Sequence, residues 1–215
     1  MFNNIKGAIF DLDGTILDSM KMWYSLYENY LREADITLTD ELADFLRHAS
    51  IPMAAERFAQ GVIPRSKETI EQELYSCVTN YYVNEPTIKA NSDKLIRALS
   101  EKGIKLCVAT ATESRLARAA LKKLDLEKFF DGLFSCKDLK IEKNKPDIYF
   151  KALNFIGTDI ANTVVFEDAY HAVQTAKDAG LYVVAIEEET VEKKDEVKSL
   201  ADMYIKDYQE IIKML

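Results

Sequence analysis

Short apolar runs recur along the chain, and each ends at polar or turn-forming residues. They are Ala8-Ile9-Phe10 leading into Asp11-Leu12, Leu106-Cys107-Val108-Ala109 before Thr110, Gly132-Leu133-Phe134-Ser135, Thr163-Val164-Val165-Phe166 before Glu167, Tyr182-Val183-Val184-Ala185-Ile186 and, more weakly, Met203-Tyr204-Ile205. Runs of this length without polar alternation predict strands buried on both faces. Between them, apolar residues recur at helical spacing and predict helices over 92–101, 114–124, 147–155 and 172–179, with Gly103 and Gly180 as stops. Strands alternating with helices in this way predict an α/β fold, a Rossmann-like doubly wound parallel sheet covered on both faces.

The stretch 16–84 breaks the alternation. It holds no strand-like run and shows successive helical periods over 22–34, 39–48, 53–59 and 68–82. Its flanks, Gly14-Thr15 and Glu85-Pro86-Thr87, are turn-like. The expected organisation is therefore a core of residues 1–15 and 87–215 interrupted by an all-helical, four-helix domain over 16–86.

Composition narrows the class. With 215 residues, 48% of them hydrophobic, the chain can fill a large interior without covalent staples. Its three cysteines, Cys77, Cys107 and Cys136, are odd in number and widely spaced, which argues against a disulfide framework or a zinc site and for a reducing cytoplasm. The start, MFNNIKGAIF, contains no apolar stretch of signal-peptide or membrane-span length, so neither export nor a membrane partner is expected. A net charge of -8 argues against a nucleic-acid partner, which needs clustered positive charge. A small anion bound by a monomer remains compatible, because charges beyond about 10 Å are largely screened at ordinary ionic strength.

Four polar clusters fall at or just after the carboxyl ends of predicted strands. In Asp11-Leu12-Asp13-Gly14-Thr15, side chains alternate direction, so the two aspartates can emerge together where doubly wound sheets bind ligands. Two carboxylates there call for a hard cation, and magnesium is the expected cofactor. Thr110-Ala111-Thr112 offers a hydroxyl and backbone N–H groups to a phosphoryl oxygen, although Thr112 or Ser114, with Glu113, could simply cap the next helix. Lys140, Lys143 and Lys145 precede Pro146-Asp147 and could equally form a solvated face. Glu167-Asp168 is a second acidic pair, whose alternative reading is compensation of a helix dipole. Together, the acidic pairs, hydroxyl and lysine describe a metal-assisted phosphoryl-transfer site.

This order of motifs, D-L-D-G-T, a strand ending in Thr110, a lysine shortly before Pro-Asp, and Glu-Asp after an apolar strand, resembles the haloacid dehalogenase superfamily over the whole chain. The helical stretch, with Leu17-Asp18-Ser19 and Trp23 near its start, resembles the cap of the phosphoglycolate phosphatase and β-phosphoglucomutase branch. The resemblance implies a phosphatase acting on a small phosphorylated metabolite. Asp11 would be the nucleophile that carries the phosphoryl group, and Asp13 the acid and base. Leu12, Asp13, Thr110 and Ala111 would bind the phosphoryl group, Lys143 would neutralise it, and Trp23 would face the substrate. Asp11, the Asp13 main-chain carbonyl and Asp168 would hold magnesium, with Glu167 behind them. The sequence departs from the usual G-K-P-x-P-[DE] at Glu142-Lys143-Asn144-Lys145-Pro146-Asp147, which leaves Lys145 as a rival to Lys143, and Ala169 and Ala172 replace the usual serine and glycine. A mutase of the same branch is the rival activity. It is disfavoured because Trp23 stands where mutases tend to carry histidine and the loop Ser50-Ile51-Pro52-Met53-Ala54-Ala55 has no arginine. Dehalogenation leaves Asp13 without a purpose, and a binding protein that has lost the chemistry is the remaining alternative.

Overall fold

The computed structural model describes residues 4–47, 49–191 and 193–215, so His48, the expected end of the second insert helix, lies outside the described residues. In chain order, β1 (Gly7–Phe10) is followed by four helices, α1 (Met20–Glu33), α2 (Asp40–Arg47), α3 (Ile51–Ala59) and α4 (Lys67–Asn84). Alternation then sets in with α5 (Ser92–Glu101), β2 (Lys105–Thr110), α6 (Ser114–Lys123), β3 (Gly132–Ser135), α7 (Cys136–Leu139) and α8 (Asp147–Ile156). It continues through β4 (Thr163–Glu167), α9 (Tyr170–Asp178), β5 (Tyr182–Ile186), α10 (Lys194–Leu200), β6 (Met203–Ile205) and α11 (Gln209–Ile212).

The strands form one parallel sheet of six in the order β3-β2-β1-β4-β5-β6. β1 is central, with Phe10 in register with Val108 of β2 and Phe166 of β4. Chain order reverses direction across the sheet between β1 and β4, and ligands of such sheets bind outside the carboxyl ends of the strands at that point. Cover on both faces explains the apolar inner strands, whereas β3 and β6, at the sheet edges, are largely half-buried rather than buried as expected. On one side Ile9, Cys107, Ala109, Val165, Val183 and Ala185 pack with Ile148, Tyr149, Ala152 and Leu153 of α8 and Val173 and Ala176 of α9. Alternate residues turn to the other face, where Phe10 stacks on Phe166 at 4.4 Å and Phe166 meets Tyr208 edge-on at 6.0 Å.

Gly103 and Gly180 follow α5 and α9 with φ of 75° and 81°, the left-handed stop expected of them. The stretches α7 and α10 were not legible as helices. α10 buries only Val197, so it carries no apolar stripe for periodicity to detect. α9 starts at Tyr170, two residues before its apolar pattern begins at Ala172, because the first turn is partly exposed.

By contact density the chain forms two compact units: residues up to Ser19 together with Pro86–Leu215, and Met20–Glu85. Residues 16–19, expected with the helices, lie with the sheet unit. Ile16 and Leu17 are fully buried there, and the Ile16 carbonyl accepts from the Lys89 N–H and the Ser92 hydroxyl. The helical unit has its own core, in which Leu31, Phe58, Ile70 and Leu74 are fully buried and Tyr30 stacks on Phe58 at 6.0 Å.

The central strand tolerates no side chain at Gly7, where an added Cβ would lie 2.7 Å from Thr158 Oγ1 and 3.0 Å from Thr163 Oγ1. Those hydroxyls bond each other at 2.8 Å and cannot both give way. Gly7→Ala should therefore cost about 1–3 kcal/mol in urea unfolding. At Gly132 an added Cβ would press on the ring of Phe155, which is 59% exposed and can swing outward, and would meet Cys107 Sγ at an ordinary 3.4 Å, so Gly132→Ala should cost clearly less.

Candidate active site

The acidic loop begins where β1 stops. The Asp11 N–H extends the ladder by donating to the Phe166 carbonyl at 3.0 Å. The chain then turns, with the Leu12 carbonyl accepting from Ile16 and Leu17 and the Gly14 N–H donating to the Leu17 carbonyl at 2.8 Å. Gly14 has φ of 80°, a conformation open at little cost only to glycine.

Asp11 is 7% exposed, and its Oδ1 meets the ammonium of Lys143. The same ammonium meets Oε1 of Glu167, which is fully buried. Glu167 Oε2 accepts from the Asp168 N–H at 2.9 Å and the Ala169 N–H at 3.2 Å, and the Tyr149 hydroxyl lies 3.4 Å from Oε1. Asp168 accepts from the Thr15 hydroxyl at 3.1 Å. One oxygen from each of Asp11, Glu167 and Asp168 lies within 4.8 Å of the others.

Three buried carboxylates thus lie together with one ammonium, which pairs with two of them, Asp11 and Glu167. Burial, only partly offset by Lys143 and reinforced by Glu167 and Asp13, pushes the Asp11 carboxyl up to about 8. Burial and the neighbouring Glu167 and Asp11 likewise hold Asp168 well above the ordinary carboxylate range. For Lys143, burial favours the neutral amine, but Asp11 and Glu167 outweigh it and raise its pKa well above normal. The surplus negative charge, carried by oxygen donors alone, fits a hard divalent cation.

Asp13 is arranged differently. Its Oδ1 accepts from the Ser19 hydroxyl and its Oδ2 from the Thr112 hydroxyl, both at 2.6 Å, so its carboxylate stands outside the three-carboxylate group. Thr110 is 1% exposed and accepts the Thr112 N–H at 3.0 Å, while Ala111 is exposed. The capping alternative for this segment is not what forms. Glu113 occupies the cap position of α6 without a side-chain cap bond, and Ser114 is turned to Asp138. Lys143 is buried whereas Lys140 and Lys145 are exposed, so the proline-adjacent lysine is the solvated one.

Trp23 belongs to the helical unit. Its indole N–H donates to the Tyr82 hydroxyl at 3.1 Å, and the ring borders a cavity of about 380 Å³ together with Met20, Tyr24, Tyr27 and Leu46. Ser19, Thr15 and Tyr149 carry no local signal of their place here. Ser19 and Thr15 are uncharged members of the Leu17-Asp18-Ser19 and Asp11-to-Thr15 segments, and Tyr149 reads as one more member of an apolar helix face.

An acidic loop after the central strand, Lys143 held between Asp11 and Glu167, and a parallel sheet with an inserted helical unit form the architecture of a phosphohydrolase. A family profile described as haloacid dehalogenase-like hydrolase matches residues 8–186, and the chain belongs to that family. It is an enzyme of the phosphatase type. It is 26% identical over 182 residues, covering 82% of each chain, to a phosphorylated carbohydrates phosphatase of Thermotoga maritima. It is 29% identical over 195 residues to a fructose-1-phosphate phosphatase of Escherichia coli K12, covering 86% of this chain and 98% of the relative. The solved structure of a putative β-phosphoglucomutase from Thermotoga maritima has the same fold, with a TM-score of 0.82 at 24% identity and 98% of each chain covered.

In metal-free protein, a carboxyl whose folded pKa is raised from 3.8 to about 8 binds its proton more tightly when folded, so its ionisation costs stability progressively across that interval. Asp11→Asn removes this cost. In chelator, its thermal stability should match the wild type near pH 4 and exceed it by on the order of a few kcal/mol above pH 8. An advantage that shrinks with rising pH would contradict the charge balance described.

Proposed function

We propose that the chain is a magnesium-dependent phosphatase of a small phosphorylated metabolite, a sugar or polyol phosphate, working in the cytoplasm through an aspartyl-phosphate on Asp11. The observation that carries the reading is the Asp11 carboxylate, buried at the end of the central strand against Lys143 and within 4.8 Å of two further carboxylates. The substrate class rests on the relatives named for carbohydrate and fructose-1-phosphate phosphatase activity. A further relative, 24% identical over 187 residues, is a hexitol phosphatase of Escherichia coli K12. Three free cysteines are consistent with a reducing compartment, and among the described residues no helix is long and apolar enough to cross a membrane.

In this reading the core is the unit of residues up to Ser19 with Pro86–Leu215, and the cap is the helical unit Met20–Glu85. Asp11, Asp168 and the Asp13 main-chain carbonyl would hold magnesium, and Glu167, tied to Lys143 and to the N–H groups of Asp168 and Ala169, would support them from behind. When bound, the cation neutralises surplus carboxylate charge and orients a phosphoryl oxygen. Asp11 attacks phosphorus, and the bond to the alcohol oxygen breaks as protonated Asp13 gives that oxygen its proton. Asp13, now a carboxylate, takes a proton from a water molecule that attacks the same phosphorus. The bond to Asp11 then breaks, and inorganic phosphate leaves. The hydroxyls of Ser19 and Thr112 hold Asp13 for both transfers. Thr110 and the N–H groups of Leu12 and Ala111 bind the phosphoryl oxygens, and Lys143 stabilises the charge that develops on them.

The test is phosphate release from a panel of sugar and polyol phosphates. Magnesium should support turnover, and a strong chelator should abolish it. Calcium should inhibit, because its looser and larger coordination shell misplaces the nucleophile. Asp11→Asn should retain no measurable turnover, and magnesium-independent hydrolysis or an active Asn variant would defeat the reading. A mutase would instead move phosphate within the sugar without net release.

Lys143→Ala should lower kcat/KM by about 3 kcal/mol or more in transition-state stabilisation, against less than about 1 kcal/mol for the exposed Lys145→Ala. Steady-state kinetics of the two variants, side by side, decide the assignment, and the reverse order would overturn it.

A further inference from the structure

Beyond the residues that face the reaction, the carboxyl-terminal segment reaches the acidic group through a short relay. Tyr208 is fully buried, and its hydroxyl donates to the Thr15 carbonyl at 3.1 Å. Thr15 is also fully buried, and its own hydroxyl donates to Asp168 Oδ1 at 3.1 Å. The Tyr208 ring sits edge-on to Phe166 at 6.0 Å, within an aromatic stack that phenylalanine would fill equally well. A hydroxyl buried in such a stack costs free energy unless it is bonded, and among the described residues Thr15 supplies its hydrogen bond. The segment is itself anchored, since Asn91 donates to both oxygens of Asp207 at 3.0 Å and Ser92 of the same turn donates to the Ile16 carbonyl at 2.9 Å. Two successive carbonyls of the loop after Asp13, those of Thr15 and Ile16, are therefore held by side chains from distant parts of the chain.

We propose that Tyr208, acting through Thr15, is a positioning residue for Asp168 and thereby sets the affinity of the acidic group for its cation. The inference rests on the reading of Asp168 as a magnesium ligand. Tyr208 lies outside residues 8–186 matched by the family profile, so the family assignment does not supply this role. The Thr15 hydroxyl bonds one oxygen of Asp168 and so fixes the carboxylate's rotation, which would leave its other oxygen available to a cation. Without the Tyr208 hydroxyl, the Thr15 carbonyl loses its buried donor. The peptide then turns to find another, taking the Thr15 hydroxyl off Asp168.

The experiment is calorimetric titration of magnesium chloride into the full chain, with the melting temperature in chelator measured for each variant. Wild type should bind and Asp168→Asn should not. Thr15→Ser, which keeps the hydroxyl, should bind like wild type. Thr15→Val and Tyr208→Phe should each weaken binding on the order of tenfold. Because both act on one path, adding Tyr208→Phe to Thr15→Val should weaken it no further. If Thr15→Val does not fold, Thr15→Ala deletes the same hydroxyl. A Tyr208→Phe protein with wild-type magnesium affinity and a lowered melting temperature would overturn the proposal, leaving Tyr208 as packing alone. So would full additivity of the two changes. Failure of wild type to bind magnesium, or unchanged binding by Asp168→Asn, would bring down the metal reading itself and this proposal with it.

Discussion

Burying Asp11, Glu167 and Asp168 around the single ammonium of Lys143 creates a charge imbalance that the surrounding structure must contain. Each buried ion costs several kcal/mol of desolvation unless it gains close partners. The partners are specific. Glu167 receives two backbone N–H groups and half of Lys143, Asp168 receives the Thr15 hydroxyl, and Asp11 receives the other half of Lys143. Among the described residues, Lys143 is the cation paired with this group, and what is left over is negative charge. Burial, reinforced by that surplus charge, raises the Asp11 and Asp168 pKa values, and the surplus makes the group receptive to a divalent ion.

The fold exists in a form that keeps this imbalance in place. Parallel register aligns the ends of β1, β2 and β4, so Asp11, Thr110 and Glu167 leave the sheet on one edge although about a hundred and fifty residues separate the first from the last. The aromatic stack of Phe10, Phe166 and Tyr208 lies just below, keeping water from one side of the acidic group. The turn at Gly14 reverses the chain so that the Ser19 hydroxyl reaches Asp13, which gives that carboxylate surroundings different from those of Asp11 only two residues away. Two carboxylates of one short motif thus acquire different partners, a division that environment rather than residue type imposes.

By itself, the sequence determined the six strand-like runs, the helices between them, the helical insert and the four polar clusters, because each is local: an apolar run, a helical period or a charged pair within a few residues. It also carried the family resemblance, which the match over residues 8–186 bears out. Short helices without an apolar stripe, such as α10, left no such local trace. Which lysine enters the acidic group was likewise open, since Lys143 and Lys145 are chemically identical and two residues apart. Only packing against Asp11 and Glu167 buries one and leaves the other in water. The tertiary structure alone decided the partners of Asp13, the capping of Glu167 by the N–H groups of Asp168 and Ala169, and the path from Tyr208 through Thr15 to Asp168. The last of these joins residues 193 positions apart. A hydrogen bond is a matter of ångströms and angle, and no periodicity along the chain encodes a distance between residues so far separated in it.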